Sequence, residues 1–178
     1  MSYQFQNVSI LVVEDNGPML DLVRALLTTF GVTNVILAKD GEDGFSKFCQ
    51  SNPDLVIADW MMKPMDGISL TRRIRNDPAS PNQFVPIILM TGFSEKRRVV
   101  QARDGGVTEF LVKPFNVRDL YRRISQVVER PRQFVRSEDF FGPDRRRKGA
   151  KGFDGELRRG TDVRPEDYKT EPAKDAFE

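Results

Sequence analysis

Four apolar runs in this sequence stop at residues that can do chemistry. Ser9–Val13 runs into Glu14–Asp15, Leu55–Ala58 into Asp59, Val85–Met90 into Thr91, and Glu109–Val112 into Lys113–Pro114. Three carboxylates brought to one place repel and raise each other's pKa values. A hard divalent cation removes that conflict: Mg²⁺ takes oxygen ligands, keeps several waters, and favours one or two carboxylates plus a phosphate. Lysine adds a fixed positive charge, and threonine adds a hydroxyl donor. Such a set suits a phosphoryl group, with one carboxylate as nucleophile, metal and lysine neutralising the oxygens, and the hydroxyl donating a hydrogen bond. An aspartate that takes a phosphoryl group becomes an acyl phosphate.

These residues meet only if the chain brings the ends of its apolar runs together. A fifth run, Asn34–Ala38, completes a series in which short apolar segments alternate with helical patterns. Pro18–Phe30 carries Leu20, Val23, Leu26, Leu27 and Phe30 on one face and stops at Gly31. Gly41–Gln50 sets Phe45 and Phe48 three apart, and Gly67–Arg75 has a weaker stripe of Ile68, Leu70 and Ile74. Ser94–Arg103 is strongly charged, with Ser94 as N-cap. Asn116–Val128 repeats Val117, Leu120, Ile124 and Val127 at helical spacing, with Asn116 as N-cap. Strand and helix alternating in this way predict an α/β fold, a parallel sheet covered on both faces. The near-continuous apolar strands fit burial on both sides. Ligands of such sheets bind beyond the carboxyl ends of the strands, where the winding direction reverses.

Composition narrows the chemistry. The chain has 178 residues, 39% hydrophobic and 30% charged, enough apolar content for a real core. With 28 basic and 26 acidic residues the net charge of +2 does not single out nucleic acid or anionic membrane as a partner. The absence of histidine excludes Ser-His-Asp and Cys-His catalysis, histidine-ligated zinc, and a phosphohistidine on this chain. A lone Cys49 excludes an internal disulfide; beside Phe45 and Phe48 it reads as a small buried or half-buried hydrophobe. MSYQFQNVSILVVEDN lacks a charged leader region and reads as a buried strand rather than a signal peptide. No apolar stretch approaches the ~20 residues that span a bilayer, so a soluble, cytoplasmic protein is expected.

The alternation ends at Arg130. Residues 131–178 hold 12 Lys/Arg and 11 Asp/Glu, so their charge nearly cancels, and their apolar residues lack sustained periodicity. We expect residues 1–130 to form the domain and 131–178 a charged, mostly disordered tail. Pro131–Phe141 is expected to lie back on the domain through Phe134, Val135 and the Phe140–Phe141 pair.

The segments ILVVEDN, DLVIADWMMKPMDG, PIILMTG and FLVKPF, in this order and spacing, resemble the receiver domain of two-component response regulators over about residues 7–130. The resemblance implies a doubly wound, flavodoxin-like five-stranded parallel sheet of order 2-1-3-4-5. It implies Asp59 as phosphoacceptor, and Glu14, Asp15 and Asp59 as Mg²⁺ ligands with the backbone carbonyl of Met61. Thr91 and Lys113 would contact the phosphoryl oxygens, and Phe110 would be the switch aromatic. Taken singly, Phe110 reads as core and Met61, Met62 and Met65 as packing, since Mg²⁺ rejects thioethers.

The implied function is a single-domain response regulator. A sensor histidine kinase or histidine phosphotransfer protein supplies the phosphoryl group. The domain catalyses its own Mg²⁺-dependent phosphotransfer and dephosphorylation, and is otherwise not an enzyme. It then switches conformation and binds an unidentified target through the face built by Ser94–Arg103, Glu109–Val112 and Asn116–Val128. That face includes Lys96, Arg97, Arg98, Arg103, Arg118, Arg122 and Arg123. A phosphate sink without a target remains open. So does a nucleic-acid-binding effector acting through Arg145–Lys148 beside Phe140–Phe141, although the tail's acidic residues argue against it. No membrane partner is expected. Two departures from the family pattern stand out. Lys63 occupies the usual proline position, with Pro64 following, and the large apolar Met61 and Phe93 fill positions that tune loss of the phosphoryl group.

Overall fold

The computed structural model describes residues 5–92, 102, 104–137 and 140–144. Five strands, β1 (Ser9–Val13), β2 (Asn34–Ala38), β3 (Leu55–Asp59), β4 (Ile87–Thr91) and β5 (Glu109–Val112), form one parallel sheet in the order β2-β1-β3-β4-β5. This is the order that the resemblance implies. The four helices described are α1 (Gly17–Thr29), α2 (Gly41–Ser51), α3 (Gly67–Asn76) and α4 (Val117–Glu129). The pattern at Ser94–Arg103 lies almost wholly outside the described residues.

Alternation along each strand sorts the core into two layers. Leu11, Val13, Val56, Ala58, Ile87 and Leu89 face Phe45 and Phe48 of α2 and Leu70 and Ile74 of α3. Ile10, Val12, Ile57, Ile88, Met90 and Leu111 face Leu20, Val23 and Leu27 of α1 and Leu120, Ile124 and Val127 of α4. Each large side chain so buried contributes about 1.5–3 kcal/mol relative to exposure. The central strands β3 and β4 are buried at every position, whereas β2 and β5 at the edges are partly exposed.

Side-chain caps start the helices where the turns need them. Asn16, Asp40, Asp66 and Asn116 each accept a backbone N–H from the first turn of α1, α2, α3 and α4. Gly31, at φ +91°, follows α1 in the left-handed conformation that glycine adopts without strain.

The chain remains packed on this core beyond Arg130. Phe134–Ser137 (β6) and Phe140–Pro143 (β7) pair antiparallel. Phe134 is buried and stacks edge-on against Phe84, at 5.3 Å between ring centroids, and lies 5.6 Å from Phe141. The stretch after Arg130 thus lies back on the domain through Phe134 and Phe141, as expected for Pro131–Phe141, and the ring both of them meet is Phe84. Residues 145–178 lie outside the described residues.

Candidate functional site

Register brings the chemistry together. Val13 pairs with Ala58, so Glu14 and Asp59 emerge side by side; Thr91 pairs with Val112, so Lys113 follows next to Thr91. The Lys113 N–H donates to the Thr91 carbonyl at 2.7 Å. Glu14, Asp59 and Thr91 are buried, Lys113 is half-buried and Asp15 is exposed.

Lys113 Nζ lies 2.7 Å from both Glu14 Oε2 and Asp59 Oδ1. The other Asp59 oxygen accepts the Met61 N–H at 3.0 Å, and Glu14 Oε1 accepts the Asn16 N–H at 3.2 Å. Among the described residues, Glu14, Asp15 and Asp59 each offer a carboxylate oxygen within 4.8 Å of the others. Burial and then the nearby Asp59 charge push the Glu14 carboxyl above its usual 4.5, against the pull of Lys113. Burial disfavours the charge on Lys113, but its bonds to Asp59 and Glu14 outweigh that and hold its pKa above the ordinary value. One lysine against three carboxylates leaves excess negative charge at an edge open to solvent. An all-oxygen donor set of this charge fits a hard divalent cation.

Two backbone hydrogen bonds fasten the loop after Asp59. Gly67 N donates to Trp60 O at 3.0 Å, and Gly41 N to Met65 O at 3.2 Å. Gly67 is required by contact: a Cβ there would sit 2.1 Å from the Asp59 carbonyl oxygen. The first turn of α3 is thereby pressed directly onto the end of β3. Trp60 is buried in the core, while Met61 projects at 60% exposure beside the Asp59 carboxylate. Phe110 is half-buried against the α2–α3 layer. Phe93 lies outside the described residues, as do Lys96, Arg97, Arg98 and Arg103.

The response regulator receiver domain family matches residues 10–125. The chain belongs to this family. It is 31% identical over 123 residues to the chemotaxis protein CheY of Pseudomonas aeruginosa, covering 69% of this chain and 98% of that one. It is 30% identical over 125 residues to the chemotaxis protein CheY-3 of Vibrio cholerae, covering 70% and 95%. Among solved structures it resembles the receiver domain of a Pseudomonas aeruginosa sensor histidine kinase, solved with a magnesium ion coordinated in its active-site cleft. There the TM-score is 0.62 at 28% identity, over 68% of this chain and 98% of that one.

A second charged cluster, which the sequence did not single out, lies at the opposite end of the sheet. Arg75, the last residue of the Gly67–Arg75 pattern, is 1% exposed. Its Nε donates to Gly106 O at 3.1 Å and its Nη1 to Gln83 O at 2.8 Å, with the Phe134 ring 5.0 Å away. Burial pushes its pKa down to about 9, so it stays charged at neutral pH. Glu109, read only as the start of a strand, is buried and accepts hydrogen bonds from Arg123, at 3.1 Å, and from Arg132. A glutamate opening an otherwise apolar strand was the available signal.

Proposed function

We propose that this receiver takes a phosphoryl group on Asp59, from phosphohistidine on a sensor kinase or phosphotransfer protein, and uses it to switch its binding of a target protein. The observation that carries the reading is the Asp59 carboxylate itself. It is buried, held on one oxygen by Lys113 and on the other by the Met61 N–H, beside two further carboxylates.

In the transfer, an Asp59 oxygen attacks phosphorus. The P–O bond forms as the P–N bond of the donor breaks, and the leaving histidine nitrogen keeps the electron pair. Lys113 neutralises charge that builds on the phosphoryl oxygens, and the Thr91 hydroxyl donates to one of them. Their positions are fixed by β4 and β5, so little reorganisation is needed. Glu14, Asp15, Asp59 and the Met61 carbonyl are the groups that would hold Mg²⁺. When bound, the ion would screen the carboxylates from the incoming anion. Val112 and Val117 are exposed apolar residues beside exposed Arg118 and Arg122, and we assign target binding to this face. The protein acts in the cytoplasm on this reading; no helix among the described residues is long and apolar enough to cross a membrane.

The test is intact mass after incubation with Mg²⁺ and a small phosphodonor. Wild type gains one phosphoryl group and Asp59→Asn gains none. Equal labelling of the variant overturns the assignment.

A further inference from the structure

Val112, the last residue of β5, is 45% exposed, and Val117, the first of α4, is 50% exposed. Arg118 and Arg122 stand exposed beside them. Arg122 lies 3.2 Å from Asp119, while Arg118 has no ion pair among the described residues. An apolar pair rimmed by cations suits a segment that sets apolar side chains among carboxylates. The chain holds such a segment. Residues 145–178 lie outside the described residues, but their sequence divides by charge. Residues 145–160 carry seven Lys/Arg against two Asp/Glu. Residues 161–178 carry three against six and include Val163, Tyr168 and Phe177. The stretch begins just after Asp144, whose N–H donates to the Gln133 carbonyl at the amino end of the sheet. The sixteen residues 145–160 reach at most about 50 Å, at ~3.3 Å each. The four residues of β5 cover only ~13 Å. The acidic segment therefore has ample length to reach the carboxyl end of β5, whereas Arg118 and Arg122 repel the basic stretch.

We propose that residues 161–178 dock on the Val112–Val117 face of the same chain, so that a target must displace them. The displacement rests on the reading of this face as the target-binding surface. Val163, Tyr168 and Phe177 would cover the exposed valines, and the carboxylates would meet Arg118 and Arg122 at the rim. Tethering gives the segment an effective concentration of about 1 mM. A contact with a Kd of only ~0.3 mM then keeps the face covered about three-quarters of the time. A target meets a free face in the remaining quarter, so its apparent affinity falls about fourfold. A tight target still binds and a weak one is turned away, which makes the segment a filter on the partners of this face.

The experiment uses the full chain and phenylglyoxal, which modifies accessible guanidinium groups, with peptide mass spectrometry as the readout. Rates at Arg118 and Arg122 are divided by the rate at Arg72, an exposed arginine of α3 on the other side of the sheet. The variant carries Glu166→Gln, Asp167→Asn and Glu171→Gln together, which removes the net charge of residues 161–178. Its ratio should exceed that of wild type about fourfold. In 1 M salt, where charges are screened beyond ~3 Å, wild type should rise toward the variant. Equal ratios in wild type and variant overturn the docking. So does protection in wild type that grows with protein concentration, which would put the segment on a second copy. Intact mass after phosphodonor treatment separates this idea from the proposed function. Wild type that takes the label with Arg118 and Arg122 unprotected removes the docking alone. Protected arginines in a chain that takes no label keep the docking and remove the Asp59 reading.

Discussion

The two ends of the sheet both bury charge, and they treat it differently. At the carboxyl end, Glu14 and Asp59 share Lys113 and stand beside exposed Asp15, with negative charge in excess and an open edge. At the amino end, Arg75 is sealed beneath aromatic rings and spends two of its nitrogens on backbone carbonyls, while Arg123 and Arg132 close over Glu109. Covered charge is structure. Charge left unbalanced at an opening is where a cation or a phosphoryl group can bind. The strength of the pairs does not separate the two ends, because buried ion pairs occur at both and such pairs add little net stability against their desolvation cost.

If the amino end is structural, removing its cover should cost stability. Truncation after Arg130 deletes Phe134, Phe141 and Arg132, exposes Arg75, and leaves Glu109 with fewer partners. Loss of a buried phenylalanine alone costs about 3–5 kcal/mol, and truncation after Asp144 removes none of these contacts. Urea denaturation should therefore show a large drop in midpoint for the first truncation and little change for the second. Equal midpoints would mean that the amino end does not need its lid.

At the carboxyl end a single methyl group provides the next test. Gly67→Ala puts a Cβ against the Asp59 carbonyl, where the backbone of β3 has little room to yield. Overpacking of this kind costs about 1–3 kcal/mol. Because the strain falls on the residue that carries the carboxylate, the phosphodonor labelling rate should fall along with the melting temperature. Lower stability with an unaltered labelling rate would separate the α3 contact from the site.

The excess negative charge makes a third claim testable by pH. A cation requires the carboxylates ionised. Burial raises the Glu14 pKa above the ordinary 4.5, so a proton competes for this site at a higher pH than it would at an exposed glutamate. Mg²⁺ affinity should fall as the pH drops toward that range, by up to about tenfold per pH unit below the Glu14 pKa, and Glu14→Gln should flatten that part of the profile. An identical profile in the variant would place the titration on another group.

Legibility in the sequence followed the same division. The sheet could be read because strands buried on both faces are uninterrupted apolar runs, and the upper site because its residues stand directly after those runs. Even the side-chain cap of α4 was visible at Asn116. The lower cluster was hidden because its contacts are non-local: the sequence marked Phe134 and Phe141 as packing on the domain but not that they meet Phe84 or that Phe134 lies over Arg75. Arg75 among Arg72, Arg73 and Asn76 looks like any solvated helix face. The docking of Pro131–Phe141 could be read from its phenylalanines, but a charge-rich stretch with isolated aromatic residues carries no periodic signal that it pairs as a hairpin.

The smallest effect concerns how long the upper site holds its phosphoryl group. Hydrolysis requires water lined up against phosphorus, opposite the Asp59 oxygen. Met61 stands beside that carboxylate at 60% exposure, and its thioether is a weak acceptor that holds water poorly. Its N–H is already engaged by Asp59, so the backbone fixes where the side chain begins. An amide on that backbone could orient the water that the thioether leaves unheld. Met61→Asn should therefore speed autodephosphorylation by about threefold, a change of ~0.7 kcal/mol in the barrier. Addition of Phe93→Glu should raise this to about tenfold, or ~1.4 kcal/mol. Phosphate release from isolated phosphoprotein measures both. Rates equal to wild type would show that the side chain at 61 lies off the water's path and that the burial of Asp59 sets the lifetime instead.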